Sequence, residues 1–307
     1  MSSRSRADLN FPDEFGSEMD RFAEICDGLI AACLEVATGS GDLPDPASQV
    51  ATESAIFRKA YPHAVKNLEF APVQAATAYA DSARLQLASI SALLRAREVV
   101  GTLWPIVRAE LEIAGRVAWL LDPTVVQPAG EVRVARYFLE SISSLQRARF
   151  TTGKYDRAAE KKFKAHRDAT IAAAKSVFPG LELELGTPDV IAGWTIHGQK
   201  ILGLGASANL FAQLFLSGPG KAMYDILSDY SHPSLVSIDL QTRLVDDGKV
   251  ASHPWVVTPE TVEHQCRWAC TILYKTCHLI CAYLRLDTGP LERWADGVPE
   301  SWFDPAA

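Results

Sequence analysis

The stretch EVVGTLWPIVRAELEIAGRVAWLLDP, residues 98–123, decides the fold because its apolar residues follow one helical face without a break. Residues three or four positions apart lie on the same side of an α-helix, so this spacing predicts an amphipathic helix. Pro105 marks either a kink or the true start of the helix, and Asp122–Pro123 ends it. The apolar face consists of Val100, Trp104, Val107, Leu111, Ala114, Ala118 and Leu121.

The same helical spacing runs through most of the chain, whereas strand-like alternation occurs only in fragments such as LELEL at 181–185. Thr258 as N-cap, followed by Pro259 in the first turn, predicts the start of the last long helix. We therefore predict an all-α protein, a single large multi-helix bundle domain of about eight to ten helices over residues 1–307, with flexible tails at 1–13 and 297–307. The predicted helices are 14–38, 51–60, 73–97, 98–121, 131–149, 155–178, 219–231, 259–286 and 290–296.

Composition places the chain among packed globular proteins, with 48% hydrophobic and 22% charged residues. The formal net charge of −7 gives no global attraction to nucleic acid or to an anionic membrane. The N-terminal residues have no apolar core typical of a secretory signal. The longest uncharged run, 201–220, contains several polar residues and glycines, so it is interpreted as buried protein. These features predict a cytoplasmic protein without a membrane partner.

The six cysteines form no CxxC pair, and the last four fall on one stripe of one predicted helix. Cysteines on one helix face are poorly placed for disulfides with each other, so we predict no disulfides and a reduced setting. In such a setting the thiols act as small hydrophobic side chains. No strict metal-binding spacing is present, and the sequence specifies no cofactor.

A ladder of charges accompanies the apolar face of the 98–121 helix: Arg108, Glu112 and Arg116 are each four residues apart. The next helix follows after a short turn, so the two are predicted to pack as an antiparallel hairpin. In that register Glu112 meets Arg136, and Arg116 meets Glu140. The ladder is either a solvated face of weak ion pairs or a partly buried cluster that lines a pocket.

The segment YDILSDYSHPSL, residues 224–235, places Tyr224, Ser228 and His232 on one helical face, with Asp229 beside them. A histidine at a helix C-terminus meets the negative end of the helix dipole, which favours its protonated form. His232 is therefore a candidate acid, base or phosphate ligand. The alternative interpretation is that His232 only caps the last carbonyl groups of its helix.

Two further patterns bear on partners. GLGASA at 203–208 matches a dinucleotide fingerprint only superficially, because no strand precedes it, and its glycines are interpreted as sites of close helix approach. Residues 147–175 hold nine Lys or Arg against three Asp or Glu. Such a basic helix can contact phosphates, face solvent, or meet an acidic surface of a second subunit.

Residues 91–123 and 224–235 resemble an uncharacterised actinobacterial all-helical family that is distantly similar to HEPN-type domains. Those domains include toxin and defence ribonucleases, so the resemblance implies a helical fold and a role in stress or defence. HEPN ribonucleases carry an Arg-x4–6-His motif on one helix, and no such motif stands beside His232. Ribonuclease chemistry would therefore need Arg108 or Arg116 to hold phosphate from another helix.

The first hypothesis is accordingly a helical binding or regulatory protein, a non-catalytic HEPN-like factor that takes a small molecule or RNA. The alternative is an enzyme, ribonuclease-like or a metal- or haem-dependent oxidase, with Trp194 in the wall of its pocket. The oxidase would require at least two of His232, His253 and His264 to converge. The charge-poor stretch 190–220 predicts a homodimer contact if it is exposed. The candidate catalytic residues are His232, Arg108, Glu112 and Arg116, and the candidate binding residues are Tyr224, Ser228, Asp229, Arg136, Glu140 and Trp194.

Overall fold

Helices occupy most of the chain in the structure, which is a computed structural model. It describes residues 13–39, 44–99, 102–126, 129–178, 193–216, 220–231, 245–246, 251–252, 257–299 and 302. Within these ranges the helices are α1 (Asp13–Gly39), α2 (Gln49–Ala60), α3 (Ala71–Arg95), α4 (Trp104–Leu121), α5 (Ala129–Thr152), α6 (Arg157–Val177), α7 (Leu204–Phe215), α8 (Gly220–Ser231), α9 (Pro259–Leu284) and α10 (Gly289–Asp296). A 3₁₀ turn at Leu68–Phe70 precedes α3.

The strands are limited to two short antiparallel hairpins in the described part of the chain. Strands β1 (Thr195–Ile196) and β2 (Gln199–Lys200) form one, and β3 (Val245–Asp246) and β4 (Ala251–Ser252) form the other. His197 and Gly198 both have positive φ between β1 and β2, as a tight hairpin turn requires. The predicted all-α class is therefore confirmed.

Local chemistry fixes the helix ends where the sequence predicted them. The Thr258 side chain accepts a hydrogen bond from the backbone N–H of Thr261, and Pro259 occupies the first turn of α9. Helix α4 begins at Trp104 with Pro105 in its first turn. Pro105 thus marks the true start of this helix, where its missing N–H costs nothing.

Helix α4 lies at the centre of the fold and packs against α3, α7, α8 and α9. Most of its side chains are buried, so neighbouring elements cover more of this helix than the apolar face that the sequence predicted. One hydrophobic cluster joins residues from Phe15 in α1 to Trp302 near the C-terminus. None of the described helices combines the length and the apolar character that crossing a bilayer requires.

A glycine in α4 permits a close helix contact in this core. A Cβ added at Gly115 would lie 2.5 Å from the carbonyl carbon of Ser207 in α7, well inside van der Waals contact. Gly205, in the 203–208 stretch, faces the ring of Tyr224 at a comparable separation. Gly205 thus allows the close helix approach expected of the glycines at 203–208. Gly115 in α4 allows an even shorter separation, from the backbone of α7.

Part of the predicted C-terminal tail is packed rather than free. Trp302 is only 2% exposed, and its indole N–H donates to Glu263 in α9 at 3.2 Å. Thr271 donates to the carbonyl oxygen of Trp302 from the same helix. Trp302 therefore packs against α9, where burial of its large apolar ring is favourable. The flexibility of the tails at 1–13 and 297–307 otherwise stays a prediction. At the other end, Asp13 already belongs to α1.

Packing inside the fold explains the low charge of residues 190–220 at the positions that the structure describes. Helix α7 packs against both α4 and α8, and Ser207, Ala208, Phe211 and Ala212 are buried there. Much of this stretch is thus apolar because it fills the core. The homodimer stays a prediction.

Candidate functional site

Arg108, Glu112 and Tyr224 come together at the contact between α4 and α8. Arg108 Nε donates to Glu112 Oε1 at 3.0 Å, and Arg108 Nη2 donates to the Tyr224 hydroxyl at 3.3 Å. That hydroxyl in turn lies 3.4 Å from Glu112 Oε1. The guanidinium also lies 5.4 Å from the centre of the Tyr224 ring, within cation–π range. The structure thus brings these three predicted residues together at one helix contact, and their role as a functional site stays a prediction.

Of the other candidate residues on or after α8, the structure describes Ser228 and Asp229. Ser228 is half-buried and Asp229 is exposed, one turn beyond Tyr224. Within the described ranges neither side chain forms a hydrogen bond with the Arg108 cluster. His232 and His253 lie outside the described residues, so the predicted imidazole of the site has no structural account.

Arg116 is buried and pairs with Glu140 in α5 instead of with Glu112 on its own helix. Its Nη1 lies 3.3 Å from Glu140 Oε2 and donates to the carbonyl oxygen of Leu202 at 2.8 Å. Both side chains of this ion pair are only 5% exposed. The predicted diagonal contact between Arg116 and Glu140 is present, and the charges form a partly buried cluster instead of a solvated ladder.

Glu140 borders a pocket of about 380 Å³ between α3 and α5. Its Oε1 accepts hydrogen bonds from the Tyr79 hydroxyl at 2.7 Å and from Ser144 at 3.2 Å. Burial, together with the neighbouring Glu140 carboxylate, raises the pKa of Tyr79, so this phenol stays protonated and donates. Arg147 approaches the same oxygen at 3.7 Å from the solvent side. The pocket is lined by Ala75, Ala78, Tyr79, Ser82, Tyr137, Glu140, Ser141 and Ser144.

Arg136 does not meet Glu112 as the hairpin register predicted. It pairs with Asp122 at 3.2 Å and donates to the Trp119 carbonyl oxygen and to Gln199. Burial alone would raise the pKa of Asp122, but hydrogen bonds from Thr124 and the Arg136 guanidinium lower it. The expected pair fails because α5 packs mainly along α6 and touches α4 only sparsely. Arg136 therefore anchors the end of α4 to the β1–β2 hairpin.

Trp194 is a core residue in this structure. It is buried immediately before β1, and the β1–β2 hairpin lies against α5. Its indole N–H finds no hydrogen-bond acceptor among the described residues. No described contact joins Trp194 to the Arg108 cluster, so its predicted place in the wall of that site has no support in the geometry.

Sequence reasoning missed a second buried ion pair, between Arg133 in α5 and Glu53 in α2. Arg133 Nε donates to Glu53 Oε2 at 2.9 Å, and both side chains are almost fully buried. The Tyr283 hydroxyl donates to the same carboxylate oxygen at 2.8 Å. These residues are 80 and 230 positions apart, so no spacing in the sequence indicated them.

A buried carboxyl group at Glu110 was also missed, although the sequence carried a signal. Glu110 lies three residues after Val107 and four before Ala114, on the apolar face of α4. It is fully buried, and neither of its oxygens has a hydrogen-bond partner among the described residues. Burial raises the pKa of Glu110 well above its usual range, because the charged form is poorly solvated there.

This environment predicts that Glu110→Met stabilises the protein at neutral pH by about 1–3 kcal/mol. The folded chain binds the Glu110 proton more tightly than the unfolded chain, so unfolding releases a proton. The free energy of unfolding should consequently fall as pH rises from the usual glutamate pKa towards the raised folded value. Denaturant unfolding at several pH values measures this slope, which the variant should lose.

The matched control for Glu110→Met is Glu24→Met, at an exposed position of α1. Its unfolding free energy should stay within about 0.5 kcal/mol of the unsubstituted chain at every pH. If Glu110→Met keeps the full pH slope, the buried carboxyl group is not its source.

His264 packs among aromatic side chains, and the cations of the basic helix α6 face mainly solvent. His264 accepts from the Trp268 indole N–H at 3.0 Å and lies beside the Trp104 ring. Over the described ranges, no three His, Cys, Asp or Glu side chains converge in a way that could hold a metal ion. Most cations of α6 are exposed, and Arg167 is the buried exception, paired with Gln146 and Asp168.

The fold and these contacts define an all-α helical protein with guanidinium–carboxylate pairs at several of its helix contacts. Comparison with models of known families, with curated proteins and with solved structures finds no match.

Proposed function

We propose that the chain is a helical binding or regulatory protein whose ligand occupies the α3–α5 pocket. The observation that carries this proposal is the Glu140 carboxylate, which is buried beside a pocket of about 380 Å³ and held by Arg116. Ligand pockets commonly combine an apolar lining with a few fixed polar groups, and this one combines alanines and two tyrosine rings with a carboxylate and serine hydroxyls. The resemblance of residues 91–123 and 224–235 to an uncharacterised HEPN-like helical family, together with the missing Arg-x4–6-His motif, is compatible with such a role.

The chemistry of the pocket indicates the kind of ligand. Arg116 and Arg147 both lie near Glu140, so a cation would meet repulsion as well as attraction. A neutral N–H donor can take the place of the Ser144 hydroxyl at Glu140 Oε1 without disturbing the shorter bond from Tyr79. The aromatic rings of Tyr79 and Tyr137 suit a planar body. The ligand class is therefore a neutral planar molecule with an exocyclic N–H, such as a nucleobase.

Cytidine and its 4-deamino analogue pyrimidin-2-one riboside test this proposal because they differ only in the exocyclic amine, which the analogue lacks. Cytidine should bind at least about tenfold more tightly, since the analogue has no N–H to donate to the Glu140 carboxylate. Ligand-observed NMR titration of the 307-residue chain measures both affinities. Equal affinities, or no binding by either nucleoside, would contradict the proposal.

The matched variants place a tryptophan inside and outside the pocket on the same helix. Ala78 is exposed at the pocket lining, so Ala78→Trp should fill the pocket and abolish cytidine binding with little effect on stability. Ala92→Trp, at an exposed α3 position away from the pocket, should bind cytidine normally. Unchanged binding in Ala78→Trp would place any binding site elsewhere.

A ribonuclease-like enzyme is the second candidate, favoured by the cluster of Arg108 and Glu112 with Tyr224. Helix α8 carries Tyr224 and ends at Ser231, immediately before His232 in the sequence. Incubation of the purified chain with RNA tests this candidate. Cleavage that disappears in His232→Ala would replace the binding proposal, whereas intact RNA would leave the binding role in place.

A further inference from the structure

Helices α1 and α9 pack in parallel through two pairs of cysteines. Cys26 Sγ lies 3.8 Å from Cys270 Sγ, and Cys33 Sγ lies 3.3 Å from Cys277 Sγ. Both pairs are separated by 244 positions, so the second lies two helical turns beyond the first in the same register. All four cysteines are free thiols, in agreement with the predicted lack of disulfides.

The two pairs differ in their access to solvent. Cys26 and Cys270 are fully buried, whereas Cys33 and Cys277 are half-buried. Cys33 and Cys277 line a pocket of about 290 Å³ with an apolar lining from α1, α3 and α9. This thiol pocket uses another side of α3 from the Glu140 pocket, with Ala80 and Arg84 in its wall.

We propose that Cys33 and Cys277 form a redox modification site that small peroxides convert to a disulfide. A thiolate at Cys33 attacks hydrogen peroxide, which gives a sulfenic acid at Cys33 and releases hydroxide. The Cys277 thiol then attacks the Cys33 sulfur, forms the S–S bond and expels water. Overall, two thiols lose two electrons and two protons, and one peroxide becomes two molecules of water.

The surroundings assign these roles to the two sulfurs. The contact with Cys33 and burial raise the pKa of Cys277, and the proposal assigns Cys277 the role of the protonated thiol that closes the disulfide. A third cysteine, Cys281, also lines the pocket, and burial raises its pKa to about 12. Bond formation brings the Cys33 and Cys277 sulfurs from 3.3 Å to about 2 Å, which ties α1 covalently to α9.

Peptide mapping after peroxide treatment tests the site, and trypsin separates the two thiol pairs. Cys26 and Cys33 share the tryptic peptide 22–58, whereas Cys277 lies in 276–285 and Cys270 in 268–275. The reduced 307-residue chain is exposed briefly to hydrogen peroxide, alkylated and digested. The expected product is 22–58 linked to 276–285, sensitive to dithiothreitol and formed at least about tenfold faster than any link to 268–275.

Single substitutions assign the sulfurs. Cys33→Ala and Cys277→Ala should each abolish the link to 276–285, and Cys26→Ala and Cys281→Ala should each retain it. A link that persists in Cys277→Ala would assign Cys281 and overturn the pairing. Independent oxidation of Cys33 and Cys277 without any link, or equally fast linkage to 268–275, would overturn the proposal as well. None of these readouts depends on ligand binding at the Glu140 pocket.

Discussion

Gly115→Ala should destabilise the folded chain by about 3 kcal/mol or more, one of the two largest effects expected of a single substitution here. The added methyl carbon would lie 2.5–2.7 Å from three backbone atoms, namely the carbonyl carbon and oxygen of Ser207 and the nitrogen of Ala208. A backbone segment inside α7 cannot rotate away as a flexible side chain can. The two helices must therefore separate, and the core between α4 and α7 loses packing. Denaturant unfolding followed by circular dichroism measures the change.

The control for Gly115→Ala is Gly39→Ala, at the last residue of α1. Apart from the chain next to Gly39 itself, no atom of the described residues lies within 4 Å of the Cβ that this substitution adds, so the free energy of unfolding should change by less than about 0.5 kcal/mol. If both substitutions are equally mild, the helices α4 and α7 are not as close as described. A Gly115→Ala chain that unfolds at the same denaturant concentration as the unsubstituted chain would likewise contradict the close contact between them.

The elements that the sequence predicted well are those set by neighbouring residues. Apolar spacing and local capping located α9 at Thr258 and Pro259, because an N-cap hydrogen bond and a proline in the first turn act within four residues. The pair of Arg108 and Glu112 followed from their spacing of four on one helix. Predicting such local interactions requires no information on how distant helices cross.

The contacts that the sequence predicted poorly depend on helix crossing. A simple hairpin register placed Arg116 diagonally across from Glu140, and this contact is present. The same register placed Arg136 diagonally across from Glu112, but α5 diverges from α4 to pack along α6, and Arg136 reaches Asp122 instead. The register of a hairpin therefore predicts only the contacts that survive the real angle between its helices.

The spacing of the cysteines in the sequence predicted part of the arrangement of the thiol pairs. Cys26 and Cys33 are seven residues apart, as are Cys270 and Cys277, and a shared spacing of seven is typical of helices that pack side by side. The sequence pattern favoured core packing for these cysteines, which describes Cys26 and Cys270 well. Only the structure shows that Cys33 and Cys277 open onto a pocket.

The other large effect is expected at Arg133, where Arg133→Met should cost about 3–5 kcal/mol of unfolding free energy. The substitution leaves the Glu53 carboxylate buried without its cation, at 2% exposure. It also removes donors from the carbonyl oxygens of Leu120 and Asp122, at the C-terminal end of α4. Arg95→Met removes an exposed partner of Asp27 and serves as the control, with an expected loss below about 1 kcal/mol.

Adding Glu53→Gln to Arg133→Met separates the unpaired charge from the lost packing. If the buried carboxylate causes most of the loss, the double variant should recover about half of it or more, because the amide carries no charge and still accepts the Tyr283 hydroxyl. Glu53→Gln alone should be destabilising, since Arg133 then lacks its counterion. If the double variant loses the full sum of the two single effects, the two substitutions act independently. The unpaired Glu53 charge is then not the cause of the stability lost in Arg133→Met.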